Sequence, residues 1–215
     1  MSGTEGDALV CHKTWVYRLG RFLVASHVRL FHRLKVEHGE YLPAVGGVLI
    51  VANHQSFLDI PVVAASTRRH VCFVARASLA RSRLLAFVMK HSGAVLIQRG
   101  AADRSALREM ARHLKAGDLV TVYPEGTRSP DGRLGTFRPG AVLAARMAGA
   151  AILPAAIRGT GEALGPGARF PSLGKRVAVR YGEPIDASLP DALERAREAI
   201  AKMIGEGRLS SVPPL

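Results

Sequence analysis

The sequence predicts an α/β protein in which helices cover a mixed, mostly buried sheet. Two observations favour this fold class. Short apolar runs of strand length alternate along the chain with longer segments in which apolar residues recur at helical spacing. In addition, 48% of the 215 residues are hydrophobic and 22% are charged, a balance that supports one sizeable core and excludes intrinsic disorder.

The first predicted element is a basic amphipathic helix, or two short ones, within residues 14–34. Large apolar residues such as Trp15 and Phe22 alternate there with arginines such as Arg18 and Arg21. Arginine at this density is costly at the centre of a bilayer, so the segment is not predicted to span a membrane. It fits either a helix lying in the membrane interface or a helix packed against the core of its own domain.

Strands and helices then alternate along the rest of the chain. Continuous apolar runs predict strands at 47–52, 71–75, 94–97, 119–123, 151–157 and 177–181. Apolar spacing and capping residues predict helices at 57–66, 79–91, 104–116, 140–148 and 190–204. Ser188 is predicted to cap the last helix and Gly205 to end it. The Gly- and Pro-rich segment 159–175 contains no predicted element.

The charge balance predicts an anionic partner, because thirty Lys and Arg against seventeen Asp and Glu give a net charge of +13. Nucleic acid, an anionic membrane surface and a phosphorylated substrate all fit this charge. Aromatic residues make up only 6% of the chain and no recognition helix or stacking motif is apparent, which argues against nucleic acid. Cys11 and Cys72 have neither a disulfide-framework nor a zinc spacing, which is typical of a reducing compartment.

His54 and Asp59 directly follow the first predicted strand and form a candidate catalytic pair. Histidine exchanges protons near neutral pH, and a carboxylate can orient its ring and stabilise the charged form. On a regular helix five residues amount to about 140° of rotation, so the two side chains meet only if His54 lies on the loop and Asp59 lies in the first turn of the helix. A purely structural pair is the alternative. A metal site is not predicted, since no third ligand lies nearby at metal spacing.

A second candidate segment, residues 123–129, follows the strand predicted at 119–123. Its Glu125, Gly126, Thr127 and Arg128 combine a carboxylate, a permissive glycine, a hydroxyl and a guanidinium at a strand end, where ligands bind in open α/β sheets. Arginine can grip a phosphate with two hydrogen bonds. The alternative is a surface turn. Arg99 follows another predicted strand, and alone that position carries little information.

Four segments in this order resemble the glycerolipid acyltransferase family and, within it, the 1-acylglycerol-3-phosphate acyltransferases. They are NHQSFLD (53–59), GAVLIQR (93–99), YPEGTRS (123–129) and ILPAAI (152–157). The resemblance covers roughly residues 45–185 and implies a glycerol-3-phosphate acyltransferase-like fold. It divides the chain into an N-terminal amphipathic membrane-associating region (1–36), an acyltransferase domain (37–207) and a flexible tail (208–215).

The resemblance also implies roles for the site residues. His54 is expected to act as the general base for the acceptor hydroxyl and Asp59 to orient it. The acyl donor is acyl-CoA or acyl-carrier protein, with no cofactor, no metal and no covalent enzyme intermediate. The residues expected to bind the substrate phosphate are Glu125, Gly126, Thr127, Arg128, Arg99 and Arg76.

The expected activity is acylation of 1-acylglycerol 3-phosphate (lysophosphatidate) to phosphatidic acid, at the cytoplasmic face of the cell membrane, by a peripheral or monotopic protein. Three departures from the family pattern leave the acceptor head group and acyl length open. They are Leu96 in the second block, Ala155 in the fourth, and the run from Arg76 to Ser78. Lyso-ornithine lipid and glycerol 3-phosphate are therefore alternative acceptors. A basic nucleic-acid-binding protein is the alternative from another class.

Overall fold

The computed structural model describes residues 15–81, 83–92, 94–97, 104–165, 167–168 and 170–209. The strands are β1 (Lys35–Glu37), β2 (Val48–Ala52), β3 (Val71–Arg76), β4 (Val95–Ile97), β5 (Leu119–Val122), β6 (Ala151–Arg158) and β7 (Ala178–Tyr181). The helices are α1 (Trp15–His32), α2 (Asp59–Ser66), α3 (Arg83–Ser92), α4 (Arg104–Lys115), α5 (Gly140–Ala148), α6 (Thr160–Ala163) and α7 (Ala192–Leu209), with short 3₁₀ helices at Gly39–Tyr41 and Ala77–Arg81.

The seven strands form one mixed sheet in the order β1-β7-β6-β2-β5-β3-β4. Neighbouring strands are parallel except for β6 and β7, which are antiparallel. The predicted mixed α/β fold is therefore confirmed. Because β2 is parallel to both β5 and β6, the segments that follow these three strands all leave the sheet on the side where the carboxyl ends of the strands lie.

Helices cover both faces of the sheet, and the side chains of β2 alternate between them. On one face Leu49 and Val51 belong to a cluster completed by α4, α5 and α7. On the other face Val48 and Ile50 pack in a cluster that includes residues of α1 and α2. All five residues of β2 are buried, which explains why this strand reads as an unbroken apolar run.

The structure adds one strand and one α-helix that the sequence did not predict, β1 and α6. Only three residues long, β1 contains two charged ones, so no apolar run marks it. It pairs with β7 at the sheet edge, where the Arg180 Nε donates to Glu37 Oε2 at 2.6 Å. Its start at Lys35 places the proposed boundary at residue 36 inside a strand. The four-residue α6 lies in the Gly- and Pro-rich segment.

The predicted ends of the last helix are wrong. α7 begins at Ala192 and continues through Gly205 to Leu209. Gly207 also lies inside the helix. Each glycine in a helix costs about 1 kcal/mol relative to alanine, which the preceding turns of a long helix can offset. The backbone N–H of Ser188 donates to Asp186 Oδ1 at 2.8 Å, so this residue belongs to a turn that precedes the helix.

The 18-residue α1 packs one face on the core of the domain, whereas its interfacial role stays a prediction. Ala25, Val28 and His32 are buried on the face that packs towards α2. Large apolar side chains on much of the remaining surface are exposed, namely Trp15, Leu19, Phe22, Leu23, Leu30 and Phe31. Among the helices in the described ranges, none is sufficiently long and apolar to cross a membrane.

A buried His–Asp contact lies at the edge of the sheet where β3 and β5 begin. His113 Nδ1, near the end of α4, is 2.9 Å from Asp118 Oδ2, directly before β5. His70, directly before β3, has its Nδ1 3.5 Å from the other oxygen of Asp118. These groups lie at the opposite ends of the strands from His54, which follows β2.

Candidate active site

The predicted pair His54 and Asp59 is in contact at the edge where β2 ends. His54 Nδ1 lies 2.7 Å from Asp59 Oδ2. The ring of His54 is on the loop after β2, and Asp59 is the first residue of α2, which is the arrangement that their spacing requires. Asp59 is fully buried, whereas the side chain of His54 remains 15% exposed. With Nδ1 donating to the carboxylate, Nε2 is the nitrogen that can accept a proton from a substrate.

Asp59 is held as a hydrogen-bond acceptor by the loop that carries His54. In addition to the imidazole, its Oδ2 accepts from the backbone N–H of Gln55 at 2.7 Å and of Ser56 at 2.9 Å. These bonds satisfy backbone donors near the start of α2, and the start of a helix favours a negative charge. The carboxylate therefore orients both the loop and the ring.

Two further side chains attach the loop after β2 to the neighbouring β6 region. Asn53 Nδ2 donates to the Ile157 carbonyl at 2.9 Å, and the Ile157 N–H donates to Asn53 Oδ1 at 2.7 Å. The Oγ of Ser56 donates to the Leu164 carbonyl at 2.7 Å. The Asn53 side chain thus joins the start of this loop to β6 through two hydrogen bonds.

Tyr123, the first residue after β5, stacks on the imidazole of His54. The ring centroids are 4.2 Å apart and the planes meet at 19°. Burial, reinforced by the nearby Asp59 carboxylate, raises the pKa of Tyr123 well above its usual range, so the phenol is neutral. This contact restricts rotation of the imidazole plane. The contact was not predicted from the sequence. The signal available for it was an aromatic residue, Tyr123, at the start of a candidate ligand-binding segment.

Glu125 connects His54 to the second half of its own loop. Its Oε1 accepts from the backbone N–H of His54 at 3.0 Å, and its Oε2 accepts from the Gly135 N–H at 3.0 Å. Partial burial raises the pKa of Glu125, while these two hydrogen bonds and the nearby imidazole act in the opposite direction. The Ser129 N–H donates to the His54 carbonyl at 2.7 Å. Glu125 therefore positions the catalytic loop, and its contact with a substrate stays a prediction.

The segment 123–129 contains one arginine, Arg128, and contacts another, Arg76. The guanidinium of Arg128 lies over the ring of Phe57, 4.0 Å from its centroid, in a cation–π contact. Arg76, at the end of β3, donates to the Gly126 carbonyl. Thr127 is exposed beside them, and Arg99 lies outside the described residues.

Arg138 is a further basic residue at this site that the sequence analysis did not select. A Cβ on Gly126 would lie 3.5 Å from the guanidinium carbon of Arg138, so the two residues are neighbours. The backbone N–H of Arg138 also donates to the Pro124 carbonyl at 3.0 Å. Its signal in the sequence was a lone arginine in a loop, which is usually solvated surface. Within the described ranges, no group of three or more His, Cys, Asp and Glu side chains could hold a metal ion.

Comparisons with known proteins agree with this geometry. The family model described as Acyltransferase matches residues 33–158. The chain is 33% identical over 176 residues to the chloroplastic 1-acyl-sn-glycerol-3-phosphate acyltransferase LPAT1 of Arabidopsis thaliana, covering 80% of this chain and 49% of the relative. It is 27% identical over 186 residues to the 1-acyl-sn-glycerol-3-phosphate acyltransferase of Bacillus subtilis, covering 80% and 87%.

A different acceptor appears in the name of a third relative. The lyso-ornithine lipid O-acyltransferase of Pseudomonas aeruginosa is 28% identical over 169 residues, covering 71% of this chain and 64% of the relative. The chain spans about half the length of the plant relatives it matches.

Among solved structures, the 1-acyl-sn-glycerophosphate acyltransferase PlsC from Thermotoga maritima superposes with a TM-score of 0.72 at 27% identity, covering 92% of this chain and 85% of that one. The family model includes both the His54–Asp59 pair and the loop of Glu125, and the plant relative exceeds 30% identity over four-fifths of this chain. The chain therefore belongs to the Acyltransferase family.

Proposed function

We propose that this protein transfers a fatty acyl group from acyl-CoA or acyl-carrier protein to the free hydroxyl of 1-acylglycerol 3-phosphate, giving phosphatidic acid. The observation that carries the proposal is the His54–Asp59 pair, with Nδ1 and Oδ2 2.7 Å apart, at a strand edge lined by arginines. The printed names of the plant and Bacillus subtilis relatives support this acceptor.

The reaction proceeds by direct transfer. His54 Nε2 takes the proton of the acceptor hydroxyl while the oxygen attacks the thioester carbonyl carbon. The tetrahedral adduct then collapses with cleavage of the C–S bond, and the proton on Nε2 passes to the leaving thiolate. Asp59 keeps the imidazole in the required tautomer and stabilises its protonated form between these steps. The balance of atoms requires neither an acyl-enzyme nor a cofactor.

The acceptor phosphate binds at the arginines beside the segment 123–129. Arg128 supplies a planar fork that the Phe57 ring pre-orients, and Arg76 and Arg138 add positive charge nearby. A phosphate gains more from this site than a neutral head group does. A lysolipid without phosphate, as in the name of the Pseudomonas aeruginosa relative, is the second candidate acceptor.

The protein acts at an anionic membrane surface, which we place at the cytoplasmic face of the cell membrane. The net charge of +13 and the exposed apolar residues of α1 support a peripheral or monotopic association. Such an association brings the enzyme to a lysophosphatidate whose acyl chain stays in the bilayer.

An acceptor panel tests the proposal. Full-length protein is incubated with labelled acyl-CoA and, in turn, lysophosphatidate, glycerol 3-phosphate and lyso-ornithine lipid. We expect lysophosphatidate to be preferred, and His54→Ala to lower its turnover by at least about a hundredfold, as removal of a general base does. His38→Ala is the control, because its Nδ1 lies 3.3 Å from Glu40 in a separate, exposed His–carboxylate pair. Near-normal turnover in a folded His54→Ala variant contradicts the mechanism.

A further inference from the structure

A loop between α6 and β7 exposes two large apolar side chains next to basic ones. In loop 170–176, Phe170 is 82% exposed and Leu173 is 63% exposed. Lys175 and Arg176 follow on the same loop and are also exposed. Single exposed apolar residues are ordinary, but exposed apolar residues grouped together and rimmed by polar ones mark a protein or membrane interaction site.

Backbone contacts on three sides hold this loop in place. The Ser172 N–H donates to the Ala163 carbonyl at 2.7 Å, and the Gly174 N–H donates to the Phe31 carbonyl at 2.9 Å. At the end of the loop, a Cβ on Gly159 would lie 2.0 Å from the Arg176 carbonyl oxygen, so only glycine permits this close approach. Phe170 and Leu173 are therefore exposed on a loop whose backbone is held by hydrogen bonds and close contacts.

The anchor at Phe31 joins the loop to the C-terminal end of α1. Leu30 and Phe31 are themselves exposed at that end, so exposed apolar residues occur on both of the segments that this backbone hydrogen bond joins. The Val177 N–H also donates to the His32 carbonyl at 3.0 Å, which extends the connection by one more backbone bond.

We infer that loop 170–176 is a second membrane-contact element, which inserts Phe170 and Leu173 into the interface of an anionic bilayer beside α1. This inference rests on the membrane association proposed for α1. Aromatic rings favour the membrane interface, and the cations of Lys175 and Arg176 complement anionic head groups. The occupant we assign is thus a lipid surface.

The position of the loop ties membrane contact to the active site. The same connection carries Leu164, whose carbonyl accepts from Ser56 Oγ on the catalytic loop. A bilayer held against Phe170 and Leu173 consequently lies beside the segment that supports His54. A lipid acceptor can then present its hydroxyl to His54 while its acyl chain stays in the membrane.

Tryptophan fluorescence tests the inference directly, because Trp15 is the one tryptophan of the chain. In a Trp15→Phe background, Phe170→Trp should show a blue shift and a loss of acrylamide quenching when phosphatidylglycerol vesicles are added. Leu143→Trp in the same background is the matched control, since Leu143 is 48% exposed on α5, which packs on the other face of the sheet. Its emission should not change. An unchanged emission from position 170 overturns the inference.

The emission of Trp15 in the natural protein reports on α1 and separates this inference from the proposal for that helix. If Trp15 responds to vesicles and position 170 does not, the loop inference fails while the association through α1 stands. If neither responds, both fail. As a second measurement, the double variant Phe170→Ser, Leu173→Ser should bind the same vesicles at least about tenfold more weakly than the natural chain. Leu143→Ser should bind them unchanged, and equal binding by both variants contradicts the inference.

Discussion

At His54, three different contacts restrict three different motions. The Asp59 carboxylate fixes the direction of Nδ1, the Tyr123 ring limits rotation of the imidazole plane, and Glu125 holds the backbone N–H. A general base must lie within hydrogen-bond reach of the proton it takes, so each restriction supports the role that we propose for His54. Two of the three contacts come from the loop after β5.

We predict that Tyr123 acts through its ring and not through its hydroxyl. The Tyr123 hydroxyl is buried without a hydrogen-bond partner among the described residues. Tyr123→Phe should therefore keep normal kcat and an equal or higher melting temperature, because an unpaired polar atom is removed. Tyr123→Leu should lower kcat by about tenfold to a hundredfold, the size of effect that misplacement of a reacting group produces, with both KM values unchanged.

Steady-state kinetics and thermal melting of both Tyr123 variants distinguish this role from simple packing. A packing role alone predicts a lower melting temperature for Tyr123→Leu and a normal kcat per folded molecule. That result would remove the ring contact from the mechanism.

Arg128 should distinguish phosphate recognition from catalysis. Arg128→Ala should raise KM for lysophosphatidate by about tenfold or more, since a hydrogen bond to a charged group contributes about 1.5–3 kcal/mol. Arg128→Lys keeps the charge but loses the planar fork, so it should recover only part of the affinity. KM for acyl-CoA should change little. Arg133→Ala is the control, because Arg133 lies in the same connection and pairs with Asp131.

Both KM values and the melting temperature decide the question for Arg128. An unchanged acceptor KM in both variants would contradict its phosphate role, and Arg76 or Arg138 would take its place.

At the scale of secondary-structure elements, α1 has one face in the core and one exposed face, to which we assign the membrane contact. The face with Ala25 and Val28 contributes to the core, and the opposite surface exposes Trp15, Leu19 and Phe22. Deletion of residues 1–36 removes both faces together with two residues of β1. Point substitutions on one face at a time avoid this confusion.

We expect Leu19→Ser with Phe22→Ser to weaken binding to anionic vesicles while the melting temperature stays unchanged. Val28→Ala should do the reverse, because truncation of a buried side chain costs about 1–3 kcal/mol of unfolding free energy and leaves the exposed face intact. Vesicle sedimentation and thermal melting measure the two effects. Equal vesicle binding by the Leu19/Phe22 variant and the natural chain would exclude the interfacial role of α1.

The same scale shows which elements are readable from the sequence. β2 was predictable because burial on both faces leaves no polar residue in it. β1 was not, since its place at the sheet edge depends on pairing with β7, far along the chain. The end of α7 was missed because Gly205 and Gly207 both lie inside the helix, and a glycine weakens a helix without necessarily ending it.

For the whole molecule, the segments of the candidate site could be identified from the sequence, whereas the contacts between these segments could not. The His54–Asp59 contact was predictable, since the two residues are close in the chain and their loop-to-helix context restricts the geometry. Two sets of contacts could be predicted only with knowledge of the strand order β6-β2-β5. They are the hydrogen bonds of Glu125 to His54 and Gly135, and the paired hydrogen bonds of Asn53 with Ile157. Strand order arises from long-range pairing, which no local pattern encodes.

His113 and Asp118 have the same separation in the chain as His54 and Asp59, and they too are in contact. Their geometry is inverted, because the histidine lies in the last turn of a helix and the aspartate follows Gly117, whose φ is 87°. The His113 side chain is only 4% exposed. The chain thus contains a second His–Asp pair with the same spacing but at the other end of the strands. A sequence search that relies on His–Asp separation alone would select both pairs. A search for this chemistry must also require a strand before the histidine and a helix after it.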